Sequence, residues 1–116
     1  KKLDYKLLEQ MPLICLEQNT STRRFMDNFL EARQIKAEPE FELATSDMIV
    51  QFALRNMGIG CVVEDFAREQ IEQDILFPLN FQFPMPKRHI CLVYKNESAM
   101  SSASKRLKDL LLKEQI

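Results

Sequence analysis

Apolar residues recur along this chain at spacings that alternate between those of strands and those of helices. The apolar run at residues 12–16 predicts a buried strand, and apolar positions at helical spacing after Ser21 predict a helix to about Arg33. Residues 40–44 alternate polar and apolar side chains, as a second strand does. Further along, the pattern predicts a helix capped by Thr45 or Ser46, a strand at Ile59–Val63 and a short helix to 71. An edge strand or a winding connection is predicted at 76–87. A strand at 89–94 and a last helix that starts between 98 and 102 complete the order.

The strand predicted at Ile59–Val63 is apolar on both faces and rich in β-branched residues. Such strands belong to parallel sheets covered by helices, and the alternation of strands and helices predicts right-handed crossovers. The predicted fold class is therefore α/β. In a parallel sheet the junctions at residues 18–21, 44–47 and 64–66 all lie at the carboxyl ends of strands, where open α/β sheets bind ligands.

Local signals also predict how the second and third helices begin and end. Gly58 is expected to stop the second helix, and Asp65 is expected to cap the third. The residues expected to face the core from the second helix are Ile49, Phe52, Ala53 and Met57.

The composition indicates a soluble globular unit. The chain has 116 residues, 46% of them hydrophobic and 28% charged, which suits one small domain or a piece of a larger one. A net charge of −1, with both signs interspersed, argues against this segment holding a nucleic-acid backbone by itself. No run approaches the roughly 20 apolar residues of a membrane span, and no signal-peptide pattern is present. Because the chain opens on Lys1 without an initiator Met, we expect a segment of a longer protein.

Residues with catalytic or metal-binding chemistry are few. Cys15, Cys61 and Cys91 are odd in number and each lies in an apolar run, which predicts buried, reduced thiols in a cytoplasmic protein. His89 is the single histidine, so a zinc site built from this segment alone is not expected. Two glycines are too few for a Walker-type phosphate loop. We therefore expect no enzyme activity, no cofactor and no metal.

Four small polar residues, at positions 19–22, join the first predicted strand to the first predicted helix. Thr20, Ser21 and Thr22 would place hydroxyl groups beside the backbone N–H groups of the helix start, at the positive end of the helix dipole. That arrangement suits an anionic ligand. The simpler interpretation needs one of these residues as an N-cap and leaves the others solvated. Spacing alone favours the cap and leaves the ligand interpretation open.

The order of these motifs resembles the effector-binding domain of LysR-type transcriptional regulators, and the resemblance covers nearly the whole chain. The matching stretches are, in order, Pro12-Leu13-Ile14; Ser21 with Arg23 or Arg24; Glu42-Leu43-Ala44-Thr45-Ser46; Met57-Gly58-Ile59-Gly60-Cys61; and Arg88-His89-Ile90-Cys91-Leu92-Val93. The family adds a final helix like the one at residues 101–112. The resemblance implies a fold like that of type 2 periplasmic binding proteins, with two α/β subdomains and the effector in the cleft between them.

The resemblance also implies a division of the chain. Residues 1–11 would be a lead-in segment, residues 12–86 a Rossmann-like effector-binding subdomain II, and residues 87–116 the strand and helix that return to subdomain I. The winged helix-turn-helix, the linker helix and most of subdomain I would lie upstream, so DNA would be bound only through that absent domain. The family forms dimers through these domains, so we expect a homo-oligomer without membrane contact.

The resemblance further implies that loops after the first strand and after the Gly-x-Gly strand line the effector cleft. The family usually has Pro where Asp65 stands, so this wall departs from the pattern. Hydroxyls and a helix start on one wall, with carboxylates on the other, suit a small zwitterionic effector such as an amino acid. The residues that correspond to the two lining loops are Thr20, Ser21, Thr22, Glu64, Asp65 and Phe66.

The predicted function is effector sensing in a cytoplasmic, bacterial LysR-type regulator. An alternative with the same architecture is half of a solute-binding protein of a transport system. A small α/β hydrolase or transferase would need catalytic residues from outside this segment. Residues upstream of Lys1 would separate the first two, since a helix-turn-helix supports the regulator and a signal peptide the transport protein.

Overall fold

A computed structural model describes residues 2–82, 85 and 90–95 of the protein. The strands are β1 (Leu13–Leu16), β2 (Pro39–Leu43), β3 (Ile59–Val63), β4 (Phe77–Pro78) and β5 (Ile90–Tyr94). The α-helices are α1 (Ser21–Glu31), α2 (Ser46–Leu54) and α3 (Arg68–Glu72). Two 3-10 helices lie at Tyr5–Gln10 and Glu64–Phe66.

These strands form one sheet in the order β2-β1-β3-β5-β4. β1 runs parallel to both β2 and β3, while β5 is antiparallel to β3 and to β4. The α/β prediction is confirmed, but the sheet is mixed and not parallel throughout. Antiparallel strands at the edge of a parallel sheet are common, and Pro78 suits the edge position of β4 because proline cannot donate a ladder hydrogen bond.

The sheet is buried on both faces because helices lie on each side. On one face, α1 and the first 3-10 helix cover β1 and β3, including Cys15 and Cys61. On the other face, α2 packs against Ile14 and Val62. Neighbouring residues of one strand thus enter different core clusters, as the two-residue period of a strand requires. This double burial explains why the first and third strands appear in the sequence as continuous apolar runs.

The lead-in segment is part of the folded core. Asp4 begins its 3-10 helix by accepting a hydrogen bond from the Lys6 N–H at 2.9 Å. Leu3 and Leu8 are buried, and the Tyr5 ring stacks on that of Phe81 at a centroid distance of 4.3 Å. The sequence prediction gave these residues no structure of their own.

α2 ends earlier than the sequence predicted. Its last helical residue is Leu54, and Asn56 then adopts a left-handed backbone conformation with φ of 59°. Asparagine tolerates that conformation, so the helix stops before Gly58. Met57 therefore lies outside the helix and is 38% exposed, so its predicted place in the core is wrong. Of the other predicted core residues, Ile49 and Ala53 are buried and Phe52 is half-buried.

Two predicted features lie outside the described residues. These are His89, at the start of the last predicted strand, and the last predicted helix at residues 101–112. The rest of that strand is confirmed as β5. The division of the chain after residue 86 stays a prediction, and β5, which follows it, pairs with β3.

Candidate functional site

The three predicted strand-to-helix junctions lie along one edge of the sheet. β1 and β2 are in parallel register through Leu16 and Leu43, and β1 and β3 through Ile14 and Gly60. The chain therefore leaves all three strands in the same direction, into α1, α2 and the second 3-10 helix. We call this edge the rim, formed by residues 17–22, 44–47 and 64–66.

Thr20 is the N-cap of α1. Its hydroxyl oxygen accepts a hydrogen bond from the Arg23 N–H at 3.1 Å, and the hydroxyl donates to the Glu17 carbonyl at 2.9 Å. Thr20 thus fixes the turn between β1 and α1. Ser21 is exposed at the first helical position and Thr22 is half-buried. The simpler interpretation of residues 19–22, a helix cap, therefore holds for Thr20. The turn that Thr20 caps places Ser21 and Thr22 at the rim.

The second junction is built in the same way. Thr45 is the N-cap of α2 and accepts a hydrogen bond from the Met48 N–H at 3.2 Å. Asp47 lies in the first turn, where a carboxylate interacts favourably with the positive end of the helix dipole. The rim therefore presents the starts of two α-helices, one on each face of the sheet.

The buried side chain of Arg23 connects the end of β1 to β2, close to the first two junctions. Its side chain is 6% exposed, and Nη1 donates to the Leu16 carbonyl at 2.9 Å and to Glu42 Oε2 at 2.6 Å. Nε donates to both carboxylate oxygens of Asp27, at 2.9 and 3.0 Å. Burial opposes the charged form, but the hydrogen bonds to Glu42 and Asp27 outweigh it and raise the pKa of Arg23.

The importance of Arg23 was missed in the sequence. It appeared there only as one of two interchangeable arginines, Arg23 or Arg24, in a family motif. The signal that separates them is the helical position. Arg23 lies four residues before Asp27, a spacing at which two side chains of a helix can pair, and it faces the core. Arg24 is exposed.

The three predicted residues after β3 do not face the same way. Glu64 lines a cavity of about 320 Å³ together with Tyr5, Asn80, Phe81 and Cys91 among others. Thr20, Ser21 and Thr22 are not among the described residues that line it. Burial raises the pKa of Tyr5 in this cavity to about 12, against the opposing charge of Arg33.

Asp65 and Phe66 point elsewhere. Asp65 does not cap a helix, since the second 3-10 helix and α3 begin at Val63 and Ala67 without a side-chain cap. Its carboxylate instead forms an ion pair with Arg68, both groups being exposed. The predicted cap is therefore wrong. Phe66 is 49% exposed.

The cysteines are free, and two of them are buried as predicted. Cys91 is half-buried, which corrects the prediction for that residue. Burial raises the pKa of Cys15 and of Cys91 to about 12 and that of Cys61 well above its ordinary value. All three thiols are therefore protonated at neutral pH.

The described residues contain neither a metal-ligating group of His, Cys, Asp and Glu side chains nor a membrane-spanning helix. Within residues 2–82, 85 and 90–95, no three His, Cys, Asp or Glu side chains are grouped so that they could hold a metal ion. None of the helices in these residues is both long enough and apolar enough to cross a membrane.

Comparison with known proteins identifies the fold. The family model described as LysR substrate binding domain matches residues 1–115. Among solved structures, the effector binding domain of QuiR in complex with shikimate superimposes with a TM-score of 0.56 at 17% sequence identity. The match covers 98% of this chain and 53% of that one, so the chain spans about half the length of the solved domain. Comparison with curated protein sequences gives no match.

Proposed function

The chain belongs to the LysR substrate-binding domain family, which makes it part of an effector-sensing domain, and we propose that its rim forms one wall of the effector cleft. Its fold is the periplasmic-binding-protein-like type 2 fold of that family, present here in part. The observation that carries the proposal is the parallel pairing of β1 with β3, which puts the starts of α1 and of the Glu64–Phe66 turn on one edge.

We assign different tasks to the predicted site residues. Thr20 shapes the turn, because both hydrogen-bonding roles of its hydroxyl are used within the protein. Ser21 and Thr22 lie where an anionic group of an effector would meet the positive end of the α1 dipole. Glu64 is the carboxylate best placed for an amine, because Asp65 is already paired with Arg68. Phe66 offers exposed apolar surface beside them.

These assignments support a small effector with an anionic group and a cationic or hydrogen-bond-donating group. An amino acid fits that description. The domain solved with shikimate supplies a second probe. Neither comparison supports the alternative of a transport protein, and the family is a regulatory one, so we propose that the chain senses and does not catalyse.

Regulation would follow from differential binding. An effector that touches both subdomains favours one relative orientation of them, and only that difference in affinity can bias a linked DNA-binding domain. We propose that this chain supplies residues 12–86 as subdomain II and residues 87–116 as the return to subdomain I. We propose further that the full regulator is a cytoplasmic homo-oligomer that binds DNA through an upstream domain.

The test uses the full-length protein and isothermal titration calorimetry with shikimate and with each of the common amino acids. For a probe that binds, Ser21→Ala and Glu64→Gln should each weaken binding by tenfold or more. Gln51→Ala, an exposed position on α2 away from the rim, serves as the matched control and should leave affinity unchanged. Equal affinity in all four proteins would show that the rim is not the site. Absence of binding by every probe would exclude the common amino acids and shikimate as effectors.

A further inference from the structure

Three sulfur atoms meet in the core between the sheet and α1. Sδ of Met26 lies 3.1 Å from Sγ of Cys61 and 4.0 Å from Sγ of Cys15. Each of these side chains is 3% exposed or less. In both contacts the cysteine thiol donates a hydrogen bond to the Met26 thioether sulfur.

The topology brings the three residues together. β1 and β3 are parallel, and the pairing of Ile14 with Gly60 places Cys15 beside Cys61 at the next position. Both point to the face that α1 covers, where Met26 enters the same core cluster. Cys91 pairs opposite Val62 on β5 and packs in the cluster on the other face. Of the three cysteines, Cys15 and Cys61 contact the Met26 thioether and Cys91 lies on the other face of the sheet.

We propose that Cys15, Met26 and Cys61 form a binding site for a soft monovalent metal ion, with Cu(I) as the ion that fits best. Thiolate and thioether sulfurs are the ligands that select Cu(I). Zinc prefers four ligands in a tetrahedron, and this cluster supplies three.

Two of the three sulfur–sulfur distances can be compared with those of a three-coordinate ion. With metal–sulfur bonds of about 2.3 Å, as for zinc thiolates, a trigonal site sets its sulfurs roughly 4 Å apart. The distance of 4.0 Å between Sγ of Cys15 and Sδ of Met26 already has that value. Sγ of Cys61 and Sδ of Met26, now 3.1 Å apart, must separate by about 1 Å. The flexible, unbranched Met26 side chain can make that adjustment.

Binding releases two protons. Each thiol loses its proton to solvent as it forms a metal–sulfur bond, and Met26 remains neutral, so one Cu(I) with two thiolates carries a charge of −1. Burial raises the pKa of Cys15, and the charge of the Arg23 guanidinium opposes that rise. The ion would join α1 to β1 and β3, which are the elements that carry two of the three rim segments.

The test measures Cu(I) transfer to the reduced full-length protein under anaerobic conditions, from the acetonitrile complex and in competition with a coloured Cu(I) chelator. Wild-type protein should take up one equivalent with at least micromolar affinity and unfold at a higher temperature when loaded. Because the site is buried, uptake is also measured after refolding in the presence of the ion.

The variants separate the cluster from general thiol binding. Cys61→Ala should abolish the high-affinity equivalent, and Met26→Leu, which keeps apolar volume, should weaken it at least tenfold. Cys91→Ala is the matched control and should bind as the wild type does. Circular dichroism confirms folding, and Met26→Leu decides the question if Cys61→Ala unfolds. The proposal is overturned by no uptake after refolding, by uptake that requires Cys91, or by unchanged affinity in Met26→Leu.

Discussion

Nη1 of Arg23 lies 2.6 Å from Oε2 of Glu42, and this ion pair joins α1 to β2 directly beneath the rim. The same nitrogen also holds the last carbonyl of β1, that of Leu16. One buried side chain therefore connects the first helix to the ends of two strands. The edge that carries the candidate site is thus fixed from inside the protein before any effector arrives.

Replacing Arg23 by Met should destabilise the fold. The substitution removes hydrogen bonds to two carboxylates and to the Leu16 carbonyl, with an expected loss of about 1.5–3 kcal/mol. Glu42 and Asp27 remain partly solvated, which keeps the loss below that of a fully buried pair. Urea denaturation measures the change. Arg24→Met, at the exposed neighbouring position, should stay within about 0.5 kcal/mol of wild type, and similar losses in both variants would contradict the assignment.

Most of the fold could be predicted from the sequence because the hydrophobic period of its elements is clear. The apolar runs of β1 and β3 are buried on both faces, and the helical stripe that includes Met26 and Phe29 lies in the core under α1. Where tertiary contacts decide, the prediction fails. The segment around Tyr5 has no strong local signal, and its 3-10 helix is held by stacking on Phe81, a residue distant in sequence.

The site could be predicted in position but not in detail. Strand order and parallel pairing place Ser21 and Glu64 on one edge, as the sequence implied. The direction of each side chain could not be predicted, because it depends on partners that spacing does not reveal. Asp65 pairs with Arg68 three residues later, and Thr20 uses its hydroxyl within its own turn. Whether the rim binds an effector stays a prediction.

Thr20→Ala should cost about 1 kcal/mol of folding free energy, because the Arg23 N–H loses its cap. Thr20→Ser keeps the capping oxygen and should restore most of that stability. Thermal unfolding of the two variants and of Ser21→Ala makes the comparison. Ser21 is exposed and is not the N-cap of α1, so its variant should lose less stability than Thr20→Ala does. A larger loss for Ser21→Ala than for Thr20→Ala would contradict the roles proposed for the two hydroxyls.

The two glycines should differ in their tolerance of alanine. A Cβ added at Gly58 would collide with the Pro12 carbonyl oxygen, which is backbone and cannot move aside without disturbing the β1–β3 pairing. At Gly60 the Cβ would meet Cγ2 of Ile49 at 2.9 Å, a side-chain contact that is less close than the backbone contact at Gly58. Gly60→Ala should cost about 1–3 kcal/mol, as overpacking does, and Gly58→Ala should cost more. Urea midpoints measure the order, and the reverse order would contradict it.

Stability should fall as the pH rises above about 9, because the thiols are held protonated in the folded state. The pKa of Cys91 is raised from 9.0 to about 12 by burial. Between those values the unfolded chain has lost the proton and the folded chain has kept it. The unfolded state then binds fewer protons, so the free energy of unfolding decreases with pH, by at most about 1.4 kcal/mol per pH unit for each thiol. The stability that comes from keeping the thiols protonated in the folded state is fully present below pH 8.

Urea denaturation in a non-thiol reductant at pH 7, 8, 9 and 10 tests this dependence. Cys91→Ala should flatten the decline between pH 9 and 10, because one of the thiols that drive it is gone. Tyr5→Phe is the matched control. The pKa of Tyr5 is raised from 10.0 to about 12, so its contribution to stability is lost about one pH unit higher than that of the thiol, and Tyr5→Phe should change the slope from 9 to 10 less than Cys91→Ala does. Equal slopes in wild type and Cys91→Ala would mean that this thiol ionises in the folded protein as readily as in the unfolded chain.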